Sequence, residues 1–297
     1  MSTASVDTGL PAPAAPAGDA ERAAQRERFA LLRSSKTFLV GAGILGIFVI
    51  CAIFGEALAP DDPYATNPLN DLAAPSSDHW FGTDRVGRDV FSRVIVGARD
   101  ILVVAPAATL LGTVIGTALG LITGYYRGAV DDVVSRVIDA FLAIPVVILG
   151  ILAITALGPS NLTVIIVIGV VFAPVIARTV RAAVLQEREM EYVAAAQLRN
   201  EKAPYVMFAE ILPNVMGPVM VEFTVRLGYA VFTVATLSFL GFGIQPPAPD
   251  WGVQVYEHYG LISGGYWWPV LFPALAIGIL VIAVNMIADG IAKAFER

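Results

Sequence analysis

The chain has 297 residues, of which 57% are hydrophobic and only 15% charged, and its 19 basic and 25 acidic residues give a net charge of −6. Since about 25% of the residues in a typical soluble domain are charged, this composition predicts a membrane protein. The acidic balance gives no support for nucleic-acid binding, which needs a basic surface. One cysteine and two histidines exclude an internal disulfide and a Cys-rich metal site, and we predict that the chain binds no metal.

Residues 1–35 are predicted to form a disordered cytoplasmic tail, because Pro, Ala, Ser and Thr dominate its first half and large apolar side chains are scarce there. The apolar run that follows is predicted as the first transmembrane helix, residues 36–59. At roughly 20 residues it is long enough to span a bilayer. It begins too late and is too long for the apolar region of a cleavable signal peptide.

Residues 60–100 are polar and are predicted to form an extracytoplasmic loop that ends in a surface helix. A five-helix core over 101–297 is predicted next. Its apolar runs are 101–125, 134–157, 162–184, 215–241 and 269–292, with a second extracytoplasmic loop at 243–268. Because every run has the length of a membrane helix, we predict an all-α membrane protein with six transmembrane helices and both termini on one side.

The orientation follows from lysine and arginine residues near the ends of the spans, which favour the cytoplasm. A cluster of them precedes the first span: Arg22, Arg26, Arg28, Arg33 and Lys36. Placing this cluster inside also places the basic residues around 178–202 and at the C-terminus inside. Only the arginines at 85, 88, 93 and 99 then lie outside, among aspartates that partly balance them. We therefore predict that both termini are cytoplasmic.

The longest polar interval in the second half of the chain is 186–214, and it is predicted to be a cytoplasmic hairpin of two helices. Asn200 tolerates the left-handed conformation that commonly ends a helix, and Pro204 suits the start of the next one. We expect Pro213 and Asn214 to end that second helix just before an apolar span. An ordinary solvated loop is the alternative, but about thirty residues is long for a connector, so the length favours a docking element.

Sequence motifs for catalysis are absent. No GxxxxGK[ST] phosphate loop and no GxSxG nucleophile elbow occur, so we predict that the chain is not an enzyme and that any ATP is handled by a partner. The carboxylates Asp131, Asp132 and Asp139 could in principle serve acid–base chemistry. We expect them instead to form a solvated cytoplasmic turn at a span boundary.

Glu222 and Arg226 are charged residues within a predicted span, where charges are costly and often functional. Their i, i+4 spacing with glutamate first is the favourable orientation for a helical ion pair. We expect the two side chains mainly to neutralise each other, and a contact with a polar solute in a translocation pathway is the alternative.

Eight short motifs give the chain a family resemblance that covers all but the tail before about residue 31. They are WFGTD (80–84), GRDVFSR (87–93), EYV (191–193), ILPN (211–214), LSFLG (237–241), QPP (245–247), DWG (250–252) and DG (289–290). In this order and spacing they resemble the C-type inner-membrane permease of ABC importers for dipeptides, oligopeptides and nickel. The resemblance implies a type I ABC importer permease fold.

The resemblance also implies that the interval 186–214 is the EAA loop, a coupling helix that sits in a cleft on an ATPase subunit. The residues matched to that role are Glu191, Ala194, Ala195, Ala196, Asn200, Ile211, Leu212 and Pro213. Ala194 stands where the family commonly has glutamate, and Asn200 where it has glycine. Glu191 or Glu201 could replace the missing charge. Five residues are expected in extracytoplasmic docking: Asp84, Arg88, Asp89, Asp250 and Trp251.

The partners implied by the resemblance are a sister permease, two ATP-binding subunits that hold ATP and Mg²⁺, and an extracytoplasmic solute-binding protein. This chain itself would bind no cofactor, and it would lie in the bacterial plasma (inner) membrane. Dipeptides or oligopeptides are the expected substrates, with nickel, glutathione, a glycoside or another small solute as alternatives. A passive channel or a secondary transporter is a remote alternative, since no ring of pore charges and no inverted repeat is visible.

Overall fold

The computed structural model describes residues 30–295, and within that range it contains helices and loops but no β-strand. Most of the predicted tail lies outside the described residues. Its end does not, and there residues 30–34 are helical, which corrects the prediction of disorder for that short stretch. Ser35 then accepts a hydrogen bond from the backbone N–H of Phe38 and so caps helix α1, Lys36–Leu58.

Helix α2 is a single helix of 37 residues, Val90–Tyr126. The sequence predicted a surface helix followed by a separate span from residue 101, and that division is wrong. Asp89 caps the helix, because its carboxylate accepts the N–H of Ser92 at 2.7 Å. Arg93 does not interrupt α2, since its side chain is 1% exposed and is held by neighbouring loops.

The predicted span 134–157 is broken in the structure. Helix α3, Gly128–Leu142, and helix α4, Val146–Leu157, meet at an angle of 89°. Pro145 lies at the break, where it lacks the N–H that would continue the helical hydrogen bonds. The described residues therefore contain five helices long and apolar enough to span a membrane, and six spans if the bent pair counts as one.

Helices α2 and α5, Asn161–Glu187, pack closely along much of their length. Glycines at every fourth position of α2 allow this approach: a Cβ atom at Gly116 would lie 2.7 Å from the carbonyl oxygen of Ala173, and one at Gly120 would lie 2.7 Å from Cβ of Val180. Small residues at such spacing are typical of close helix contacts in membranes. The buried core around them includes Ile168, Ile176, Val231 and Leu280.

Short helix α6, Glu191–Leu198, follows α5 and precedes the long helix α7, Ala203–Phe239. Contrary to the prediction, the chain does not end its helix at Pro213 and Asn214. A π-helical turn at Val206–Ile211, in which the N–H of Leu212 donates to the carbonyl of Met207, leads directly into Leu212–Phe239. In this wider turn the helix continues although Pro213 has no backbone N–H to donate. The second arm of the hairpin and the span therefore form one helix.

Two helices complete the fold. Helix α8, Trp251–His258, lies in the loop after α7 and packs against α7 and the last helix, α9, Trp268–Phe295. The indole N–H of Trp251 donates to the carbonyl of Val94 at 2.8 Å, and the side chain is completely buried. Together α8 and the loop before α2 form a polar cap on one end of the helix bundle.

Candidate functional site

The hairpin at 186–214 turns at Asn200, whose backbone φ of +56° is in the left-handed region, as the sequence predicts. The N–H of Asn200 donates to Gln197 O at 3.0 Å, and the N–H of Glu201 donates to Ala196 O at 3.2 Å. This pair of bonds is a Schellman motif, which satisfies the last carbonyls of a helix. Asparagine thus reproduces here the conformation for which the family commonly uses glycine.

Tyr192 ties the hairpin to both long helices. Its hydroxyl donates to Glu187 Oε1 at the end of α5, 3.2 Å away, and accepts from Asn214 Nδ2 in α7 at 3.1 Å. The same amide donates to the carbonyl of Glu210 at 2.8 Å. Burial, with the nearby Glu187 carboxylate, raises the pKa of Tyr192 to about 12, so the hydroxyl remains a donor at neutral pH. Helix α6 is therefore fixed to its neighbours.

The two faces of α6 differ in burial. Val193 and Ala196 are completely buried, whereas Ala194 and Ala195 are exposed and Leu198 is 84% exposed. Ala196 is therefore a packing contact inside the chain, and the expectation that it contacts a partner is wrong for this structure. The sequence motifs did not single out Leu198, because its exposure follows only from its register relative to the buried face of α6.

The remaining hairpin residues divide in the same way. Ile211 is buried and Leu212 is half-buried, whereas Glu191 and Pro213 are exposed. Glu201 Oε1 accepts from Arg199 Nε at 2.7 Å, so its charge is paired inside the hairpin. Of the two carboxylates that could replace the missing family glutamate, Glu191 is thus the one that remains on the surface.

Glu222 and Arg226 form the expected ion pair within α7, with Arg226 Nε donating to Glu222 Oε1 at 2.6 Å. The other carboxylate oxygen lies 3.5 Å from Thr179 Oγ1 on α5, and the Arg226 guanidinium lies 5.1 Å from the ring centre of Tyr229. Their side chains are 11% and 20% exposed. Each of the two charges therefore has a partner of opposite sign and one further polar or aromatic contact, which is what mutual neutralisation requires.

A second group of charges joins α3 to α5. Arg181 donates to both oxygens of Asp131 at 2.6 and 2.5 Å, and Arg178 donates to Asp139 at 2.7 Å. Bidentate pairs of this kind fix orientation as well as charge. The expectation of a merely solvated turn is therefore wrong for Asp131, which is buried. Because α5 leads into the hairpin, α3 is tied to the helix that positions α6.

The five residues expected in extracytoplasmic docking are buried within the cap. Arg88 Nε donates to Asp84 Oδ2 at 2.5 Å, and Arg88 Nη2 donates to Glu257 Oε2 at 2.9 Å. Exposure is at most 8% for Asp84, Arg88, Asp89, Asp250 and Trp251. Because these side chains are buried, they do not face a partner in this structure, which corrects the expectation of direct contact. They hold the loop before α2 against α8.

Asp250 begins helix α8, and its Oδ1 accepts from the N–H of Val253 at 2.9 Å. Complete burial raises the pKa of Asp250 to about 6, because the charged form loses its water. Burial likewise lowers the pKa of His258, whose Nδ1 lies 2.6 Å from the carbonyl of Gln254. The cap thus contains ionisable groups that the sequence did not identify as internal.

Most of the chain matches known protein families. Residues 116–297 match the family described as "Binding-protein-dependent transport system inner membrane component". Residues 26–75 match "N-terminal TM domain of oligopeptide transport permease C". Together the two matches include the first span, the last part of α2 from residue 116 onwards and all later helices.

Relatives agree with these matches. The dipeptide transport system permease protein DppC of Alkalihalophilus pseudofirmus is 39% identical, with 91% of this chain and 89% of that protein covered. The oligopeptide permease OppC of Bacillus subtilis is 37% identical over 95% of this chain and 94% of its own length. The glutathione permease GsiD of Escherichia coli is 36% identical, with 84% and 82% covered.

A solved structure shows the same fold. A chain of the MetNI methionine ABC transporter superposes with a TM-score of 0.56 at 23% identity, covering 69% of this chain and 97% of that one. The multi-pass helical architecture, the family matches and the relatives agree with the resemblance seen in the sequence motifs. The chain belongs to the binding-protein-dependent transport system inner membrane components, as a C-type permease subunit of ABC importers.

Proposed function

We propose that this permease forms the translocation pathway of an ATP-driven importer together with a sister permease, and that peptides are its substrates. The names of the relatives support the substrate: those with the greatest coverage are dipeptide and oligopeptide permeases. Because glutathione permeases are 36% identical to this chain, glutathione is the second candidate.

The observation that carries the coupling role is the contrast between the two faces of α6. Its inner face is buried, and Tyr192 bonds it to α5 and α7. Its outer face presents Ala194, Ala195 and Leu198, small and apolar side chains without cover in the described chain. Exposed apolar surface on a rigid element is typical of a protein interface. The occupant is an ATP-binding subunit, which holds ATP and Mg²⁺ and hydrolyses the nucleotide.

The assembly has two such subunits on the cytoplasmic side and a solute-binding protein on the extracytoplasmic side. Both termini of this chain lie on the cytoplasmic side. The second arm of the hairpin and the span are one helix, α7, and Tyr192 bonds α6 to that helix, so motion of α6 is passed on to the span. The Asp131–Arg181 ion pair couples the same motion of α5 to α3. Transport by alternating access then requires that the ATP-binding subunits contact the hairpin differently in the two states, since only differential affinity shifts an equilibrium.

The test is Ala195→Arg, which places a long charged side chain on the outer face of α6. The permease should insert and pair with its sister normally, but uptake of a labelled dipeptide and stimulation of the ATPase should be lost. Ala129→Arg is the matched control, because Ala129 is also exposed but lies at the start of α3; it should transport normally. Normal transport by Ala195→Arg would refute the coupling role.

Ala196→Arg serves as a contrast within the same helix. Ala196 is completely buried, so this substitution should lower the yield of folded permease as well as uptake. The substrate is tested by comparing uptake of labelled dipeptide with uptake of labelled glutathione: the dipeptide should be transported and should not be displaced by excess glutathione. Uptake of labelled glutathione without uptake of the dipeptide would favour the second candidate.

A further inference from the structure

Three potential metal ligands converge beside the start of α2. They are Asp61, His79 and Asp89, and one ligand atom from each lies within 4.8 Å of the other two. Nδ1 of His79 lies 3.0 Å from Asp89 Oδ1 and 3.8 Å from Asp61 Oδ2. The three residues come from separate parts of the loop before α2, so the fold, not local sequence, brings them together.

Backbone contacts hold this cluster in place without using all of its ligand atoms. Ser92 contributes twice: its hydroxyl accepts the N–H of Asp61 at 3.1 Å, and its own N–H donates to Asp89 Oδ2 at 2.7 Å. The N–H of His79 donates to Ser76 Oγ at 3.2 Å. Asp89 Oδ1, His79 Nδ1 and Asp61 Oδ2 are left facing one another.

The charge at this cluster is not balanced by the protein. Among residues 30–295 neither Asp61 nor Asp89 forms an ion pair with lysine or arginine, and the only ion-pair partner of each is His79. The neighbouring Asp84 differs, because Arg88 neutralises it at 2.5 Å. Asp89 is 4% exposed, and in the described residues its carboxylate is stabilised by the N–H of Ser92, the N-terminus of α2 and His79, so a bound cation would supply the full positive charge that these contacts lack. Asp61, with a side chain 51% exposed, leaves the cluster open to solvent.

Contrary to the expectation from the sequence that the chain binds no metal, we propose that Asp61, His79 and Asp89 bind a divalent transition-metal ion of the Zn²⁺ type. One imidazole nitrogen and two carboxylate oxygens are ligands that suit such an ion, and water would fill the remaining position. Ligand bonds of about 2.0–2.2 Å require Asp61 Oδ2, which lies 3.8 Å from His79 Nδ1, to move closer to the other two ligand atoms, and the exposed Asp61 side chain can make that movement. Binding needs the lone pair of His79 Nδ1, so the ring would hold the ion as the neutral tautomer that carries its proton on Nε2. The ion would then join three segments of the extracytoplasmic loop.

The test uses the full chain purified in detergent without an affinity tag, titrated calorimetrically with Zn²⁺ alone. Wild-type protein should take up one ion saturably. Asp61→Asn should weaken binding at least about tenfold, since even the loss of an outer contact typically costs 10–100-fold in metal affinity. His79→Gln should abolish binding. The matched control is Asp78→Asn, an exposed neighbour of His79 outside the cluster, and it should bind as wild type.

Thermal unfolding without metal separates loss of a ligand from loss of the fold. Asp61→Asn should unfold at the wild-type temperature, because no hydrogen bond to its carboxylate is present among the described residues, and only wild type should be stabilised by added Zn²⁺. Absence of saturable binding by wild type, or wild-type affinity in Asp61→Asn, would show that the cluster is only a hydrogen-bonded cap and overturn the proposal.

Discussion

Removing one member of the Glu222–Arg226 pair tests whether these charges neutralise each other or serve the transported solute. The variants are Glu222→Gln, Arg226→Gln and the double substitution. In the structure the pair is joined at 2.6 Å, and the side chains are only 11% and 20% exposed. Either single change leaves the other charge within a membrane helix without its main partner.

The expected magnitude follows from that burial. Breaking a buried pair typically costs about 3–5 kcal/mol, because one charge remains uncompensated, whereas removing both charges is often nearly neutral. Each single variant should therefore be strongly destabilised and the double variant should recover most of the loss. The exposed pair Arg178–Asp139, with side chains 63% and 56% exposed, is the matched control. Its single variants should each change stability by about 1 kcal/mol or less.

The assay scores two quantities for each variant: thermal unfolding of the purified complex, and peptide uptake by reconstituted vesicles. Mutual neutralisation predicts that stability and uptake fall together in the single variants and return together in the double variant. A double variant with full stability and no uptake would instead place the pair in the translocation pathway. Single variants as stable as wild type would refute the energetic reasoning itself.

Two further predictions concern topology and the cap. In a Cys51→Ser background, an impermeant thiol reagent added to intact cells should label a cysteine at exposed Ser77 but not one at exposed Gln197, and the opposite pattern would invert the topology. In Asp250→Asn the N-cap acceptor remains. Wild type loses stability as the pH rises from about 4 to about 6, because the folded-state pKa is raised to about 6 and the folded protein then holds a buried charge. The variant's stability relative to wild type should therefore rise by about 3 kcal/mol across this window and level off above it, as followed by thermal unfolding; a pH-independent difference would contradict the assignment.

The sequence predicted the elements whose signals are local. Apolar runs of sufficient length indicate membrane helices regardless of their neighbours, and the positive φ of Asn200 follows from the chemistry of that residue. The ion pair of Glu222 and Arg226 follows from helical spacing alone. These predictions need no knowledge of how the helices pack.

The errors arose where packing decides the outcome. Pro145 coincides with a bend of 89° between two helices, whereas Pro213 is accommodated by a π-helical turn, and composition alone does not distinguish the two prolines. Charged residues such as Asp84 read as surface residues in a sequence, because their burial depends on a partner such as Arg88. Ala196 differs from Ala195 only in which face of α6 it occupies.

The most direct measurement of the coupling role is the accessibility of residue 198. Leu198 is 84% exposed on the outer face of α6, so Leu198→Cys in a Cys51→Ser background should react rapidly with a thiol reagent in the isolated permease. In the assembled transporter the ATP-binding subunit should protect it, whereas Ala129→Cys should react equally in both preparations. Equal labelling of residue 198 with and without the ATP-binding subunits would contradict docking at the hairpin.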